Sequence, residues 1–192
     1  MTLERVRLAL AGYAPREITA PEARPAAVAV ILIERTGLEA LFIKRAARTG
    51  DPWSGQVAFP GGRHEPTDAD LRVTAMRETR EETGVELSDA EPLGVLDDLY
   101  PRTPTLPPVR VRPYVFALHG APPPRLTISD EVDRAFWVPL SRLSEPAVRR
   151  EVKLLLRGEE RVFPAYDLGE DVIWGMTERI LTPFLERIGY TP

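Results

Sequence analysis

Residues 59–85, FPGGRHEPTDADLRVTAMRETREETGV, constrain the chain more than any other stretch, because a sharp turn must run straight into a helix with an acidic face. Gly61 and Gly62 follow Pro60, so the backbone can bend there and leave a carbonyl facing outward. Thr67 and Asp68 are cap-type residues, Asp70 stands three after Thr67, and no Pro or Gly intervenes before Gly84. That pattern predicts a helix opening near the Thr67-Asp68 cap and stopped by Gly84. On it Glu78, Glu81 and Glu82 occupy i, i+3 and i+4, on one face.

Such a face is electrostatically uncomfortable. Acids in the last turn oppose the helix dipole at about 0.3–1 kcal/mol each. Like charges four apart add about 0.2–0.5 kcal/mol. Two readings account for this: a solvated face neutralised by Arg77 and Arg80, or a ligand set for a hard divalent cation, made of three carboxylates and the outward glycine carbonyl.

The segment Arg77-Glu78-Thr79-Arg80-Glu81-Glu82-Thr83-Gly84, preceded by the glycine pair, resembles the signature of the Nudix hydrolases. It departs in three respects. Gly62 and Arg77 are separated by one residue more than is usual, the intermediate Glu is replaced by the neighbourhood of Asp68, Ala69 and Asp70, and Thr79 stands where an aliphatic residue is usual. The longer pattern, from the glycine pair through P-x-D-x-D to TAxRE-x-x-EE-x-G, resembles the coenzyme A diphosphatase branch. Arg45-Ala46, Arg48 and the run Gly55-Gln56-Val57-Ala58 before Phe59 partly match that branch's upstream motif.

The resemblance implies an α/β fold, the Nudix-type α/β/α sandwich with a mixed β-sheet. It places an N-terminal helix and connector in residues 1–25 and the Nudix domain in residues 26–192. It implies Mg²⁺ or Mn²⁺ held by the Gly61 carbonyl, Glu78, Glu81 and Glu82, with Arg77 orienting the glutamates and Glu131 as a further ligand or the catalytic base. For Glu131 a plain solvated loop acid is the competing reading. Arg45 and Arg48 are candidates for substrate phosphates, with surface salt bridging as their alternative. The implied reaction is metal-dependent diphosphate hydrolysis, with coenzyme A or an acyl derivative as the leading substrate. The alternatives are another diphosphate, such as ADP-ribose, a dinucleotide or an oxidised nucleotide, and a Nudix-fold binding module without turnover.

Composition limits the other options. A net charge of −4 gives no global basic field for nucleic acid. With no cysteine there is neither a disulfide framework nor a thiol nucleophile. Two histidines, His64 and His119, are too few for a histidine metal cluster. Residues 1–17 lack a continuous signal-type apolar core, and no run of about 18 apolar residues occurs. The expectation is a soluble cytoplasmic chain acting on a nucleotide-derived small molecule, without a membrane or nucleic-acid partner. A homodimer is compatible with the family, although no stretch marks an interface.

Along the chain, a short helix ending at Gly12 precedes a Pro-containing connector. Residues 26–33 and 40–44 read as paired strands across a turn. Trp53, in the following Gly/Pro loop, either lines a pocket or anchors the loop. Residues 92–99 and 109–118 read as strands around a Pro-rich loop, and Phe136-Trp137-Val138-Pro139-Leu140 as the last core strand before a helix. Residues 144–156 read as helix, 162–166 as a short strand and 171–188 as the closing helix. Ile173, Trp174, Met176, Ile180 and Leu181 are read as core.

Overall fold

A computed structural model describes residues 2–51, 53–101, 108–120, 122–156 and 159–190. The elements are α1 (Leu3–Leu10), β1 (Arg24–Glu34), β2 (Leu38–Arg45), β3 (Val57–Ala58), β4 (Gly61–Arg63), α2 (Leu71–Thr83) and β5 (Glu91–Val95). They continue as β6 (Val109–Leu118), β7 (Val132–Pro139), α3 (Leu140–Leu143), β8 (Arg149–Leu156), β9 (Glu159–Asp167), β10 (Val172–Trp174) and α4 (Met176–Ile188).

The centre is β1. Its residues are buried on both faces, which is why AAVAVILI carries no polar alternation. Ala27, Ala29 and Ile31 face one core with Ala75 of α2, Val85, Leu87 and Phe116. Ala26, Val30 and Leu32 face the other, which α1 closes with Leu3, Val6 and Leu10 and α4 with Leu181, Phe184 and Leu185. This is the expected α/β/α sandwich. Its sheet is mixed: β1 runs parallel to β6 from Arg24↔Val109 to Ile33↔Leu118, while β1–β2, β2–β7 and β5–β6 are antiparallel.

One edge of β1 has two partners. Its end pairs with β2 over Leu32–Glu34, and its beginning pairs with β4, Ala26 opposite Arg63 and Val28 opposite Gly61. Between them the sheet forks, and the carbonyl of Pro60 receives the Ala29 N–H at 2.8 Å.

Several expectations are corrected. The helix expected from the Thr67-Asp68 cap begins at Leu71, because Asp70 is the cap and accepts the Val73 N–H at 2.9 Å. Gly84 ends it in the left-handed region, φ 71°, as expected. The strand expected over 92–99 is split into β5 and an isolated bridge, Leu99↔Val111. Residues 144–156 are not a helix: β8 forms a hairpin with β9, in register from Arg149↔Tyr166 to Leu156↔Glu159. Val152 and Leu154 turn partly inward while Glu151, Lys153 and Leu155 stay exposed, a period of two that the leucine run 154–156 conceals. The strand expected over 162–166 extends accordingly to all of β9. The closing helix starts only at Met176, because Val172–Trp174 pairs with β9 and Gly175, at φ 69°, cannot continue a helix from there. Residues 102–107 of the Pro-rich loop lie outside the described residues. No helix among the described residues is long and apolar enough to cross a membrane.

Candidate active site

The fork in the sheet opens a cavity of about 350 Å³. Gly61, Gly62 and Arg63 wall it from β4, Arg45 from the end of β2, and Glu131 from the turn before β7. Glu78 and Glu82 enter from α2.

Glu82 is buried against the turn and accepts the Gly61 N–H at 2.9 Å. Burial pushes its carboxyl up to about 8; the Gly61 amide and Arg45 oppose this, and the neighbouring charges of Glu78 and Glu131 add to it. Glu78 is likewise raised, first by burial, and Arg77 offsets this only in part. Gly62 makes room for it: a Cβ at that position would overlap the Glu78 carboxylate. At Gly61 a Cβ would overlap the Ala27 carbonyl and Val28 Cα, so the turn can lie against β1 only without a side chain.

Arg77 stands beside these acids. Its guanidinium donates to Asp68 through Nε at 2.9 Å and Nη2 at 3.0 Å, to Glu78 at 2.9 Å, to Glu81 at 3.1 Å and to the Arg63 carbonyl at 3.1 Å. Asp68 is buried, also takes the Glu65 N–H and the Thr74 hydroxyl, and is held by Arg77 well below the usual carboxylate range. The Asp68 to Asp70 neighbourhood thus divides two tasks: Asp68 fixes Arg77, and Asp70 caps α2. The sequence signal for Asp68 was the acid missing from its usual place.

The remaining expected residues separate. Glu81 is half exposed, reaches Arg77 and is not part of the cavity wall. Arg45 donates to Asp51 at 2.9 Å, lies 4.0 Å from Glu82, and keeps a buried Nε without an acceptor among the described residues. Arg48, outside the wall, pairs with Glu131 at 2.9 Å and with the Asp130 carbonyl. Glu131 itself lies at the wall and is about half exposed. Trp53, Gln56 and Thr177 also line the cavity, as does Met176, read from sequence as core. Met176 and Thr177 follow Gly175 at the start of α4, a position that apolar periodicity alone does not distinguish from core.

Among the described residues no three acidic side chains are gathered as a bound ion would hold them. Arg77 engages Glu78 and Glu81, and the Gly61 amide engages Glu82. The donor set nonetheless suits a hard divalent cation: it is all oxygen, Gly62 leaves space beside Glu78, and buried, mutually repelling carboxyls are relieved by positive charge.

Comparison with known proteins agrees with this architecture. The family model described as the NUDIX domain matches residues 23–157. The chain is 33% identical over 186 residues to the human mitochondrial coenzyme A diphosphatase NUDT8, covering 94% of this chain and 75% of that protein. It is 32% identical over 173 residues to the uncharacterized Nudix hydrolase NudL of Citrobacter koseri, covering 88% and 85%. Among solved structures, a MutT/nudix family protein from Enterococcus faecalis superposes with a TM-score of 0.58 at 21% identity, over 98% of this chain and 70% of that one. The C. elegans Ap4A hydrolase binary complex gives 0.51 at 21% identity, over 62% and 82%. With the family model spanning most of the chain and the sandwich forked around an acidic helix, this protein belongs to the Nudix hydrolase family.

Proposed function

We propose that this Nudix hydrolase cleaves the diphosphate of coenzyme A or an acyl derivative, giving adenosine 3′,5′-bisphosphate and (acyl-)4′-phosphopantetheine. The observation that carries the reaction type is that Glu78, Glu82 and Glu131 line one cavity together with the Gly61-Gly62 turn. The substrate assignment draws support from the human relative, named a coenzyme A diphosphatase, and from the Arg45-Ala46 and Gly55-to-Phe59 matches upstream of the turn.

Glu78, Glu82, Glu81 and the Gly61 carbonyl would hold Mg²⁺ or Mn²⁺, with Glu81 turning in from its place outside the cavity wall. When bound, the cation neutralises diphosphate oxygens and makes a water more acidic. Glu131 accepts a proton from the attacking water, whose oxygen forms the new bond to phosphorus. The bridging P–O bond breaks, and the departing phosphate leaves with the electron pair. Arg77, fixed by Asp68, keeps Glu78 and Glu81 in place throughout. Arg45 offers its charge to the phosphate that does not react.

A hydrolysis panel of coenzyme A, ADP-ribose, NADH, diadenosine polyphosphates and 8-oxo-dGTP tests the reading, with product masses read for each. Adenosine 3′,5′-bisphosphate should appear fastest from coenzyme A, and EDTA should stop its release. Faster cleavage of another diphosphate would reassign the substrate, and turnover indifferent to EDTA would refute the mechanism.

A further inference from the structure

The cavity has a wall that this chemistry does not use. Glu78 and Glu82 reach it from α2, which packs on the face of the sheet carrying Ala27, Ala29 and Ile31. Trp53 and Met176 reach it from the other face, where both pack against the core containing Val30, Leu32 and Phe42. The cavity therefore passes through the fork. A substrate cleaved on the acidic side would have Trp53 within reach of its unreacted part.

Trp53 is held there by its backbone. Its N–H donates to Asp51 Oδ1 at 3.0 Å, and its carbonyl accepts the Gln56 N–H at 3.2 Å. The other carboxylate oxygen of Asp51 takes Arg45 Nη2 at 2.9 Å, so one side chain sets both the ring and the guanidinium on the same wall. The indole N–H is buried and meets no acceptor among the described residues. That cost would be absent with phenylalanine, so no hydrogen bond to the loop accounts for an indole at this position. Phe59, also in the wall, is 2% exposed and has no free face, whereas Trp53 is only half buried. A half-buried indole suits the face of a heteroaromatic ring, and the Asp51 carboxylate beside it suits the ring's amino edge while Arg45 stays with the phosphate. An acyl chain would gain nothing from that carboxylate.

We propose that Trp53 is the stacking platform for the nucleobase of the substrate, and that Asp51 is the positioning residue that sets Trp53 and Arg45 together. The proposal rests on the cavity being a nucleoside diphosphate site; the stack is tested by binding alone, and the positioning role of Asp51 also by turnover of coenzyme A.

AMP and ribose 5-phosphate, which share the phosphorylated ribose and carry adenine or a hydroxyl at its anomeric carbon, are titrated calorimetrically into the full chain with Mg²⁺. Trp53→Leu should weaken AMP binding about tenfold, as expected for one base–aromatic stack, and leave ribose 5-phosphate binding unchanged. Trp53→Tyr should keep most of the AMP affinity. Asp51→Asn should reduce the preference for AMP and raise KM more than it lowers kcat. Equal loss for both ligands, loss for neither, or a wild-type protein with no preference for AMP would overturn the platform. A wild-type protein that prefers AMP but hydrolyses no diphosphate in the panel would leave the platform standing and overturn the proposed function instead.

Discussion

At the scale of single residues, the site places buried acids beside one another. Glu82 is raised to about 8 from a reference of 4.5, so between those values the folded state binds a proton that the unfolded state has released. In that window the stability of the metal-free protein should fall as pH rises. Glu78 acts in the same direction. Calorimetry in EDTA should show a midpoint that declines from pH 5 to pH 8, and Glu82→Gln should flatten the decline; a rising midpoint would contradict the assignment. Asp68 behaves oppositely, since its ionised form is favoured by Arg77. Asp68→Asn removes the buried charge that Arg77 meets through Nε and Nη2, leaves it Glu78 and Glu81, and should cost about 2 kcal/mol in denaturant unfolding. It should also lower activity about 10–100-fold, the range for residues that orient metal ligands. The shared face of Glu78, Glu81 and Glu82 was legible from spacing on a helix, whereas the separation of Glu81 from the cavity that Glu78 and Glu82 line was not. Asp68 was legible only as a gap, because its role depends on a guanidinium nine positions later that only the folded turn brings back to it.

Elements show why the turn needs both glycines, and for different reasons. Gly61 has φ 154° and faces the β1 backbone, so Gly61→Ala strains the main chain and meets atoms that cannot move aside. It should cost about 3 kcal/mol or more in unfolding free energy. The atoms nearest a Cβ at Gly62 all belong to the Glu78 carboxylate, the far end of a flexible side chain. Gly62→Ala should keep stability within about 1 kcal/mol. Its activity should drop about 100-fold, because a displaced carboxylate is a misplaced ligand. Equal effects of the two substitutions on stability would contradict this division. β1 was legible as a strand because both faces are buried and its apolar run is nearly unbroken, and β6 because its alternation from Val109 to Pro113 gives way to an apolar end. β8 was not: Leu155 points outward and disguises the alternation of Glu151, Val152, Lys153 and Leu154. α4 was legible in its interior, and its true start was hidden because Gly175 breaks a run that is apolar on both sides of it.

For the whole molecule, pairing order rather than any local signal makes the cavity. Nothing in the sequence of β1 announces that one of its edges serves β2 at one end and β4 at the other. That arrangement sets the glycine turn against Glu82 on one face and brings Trp53 and Met176 in from the other. It also ties two properties that proteins commonly keep apart. Were β1 to slip by one residue, Ala27, Ala29 and Ile31 would exchange cores with Ala26, Val30 and Leu32, and the same slip would carry Gly61 away from its place opposite Val28. Alignment of the central strand is thus a single ruler against which both the hydrophobic layers and the reacting groups are measured. The chain cannot assemble a sound interior around a faulty site by this route, and folding serves as its own proofreading.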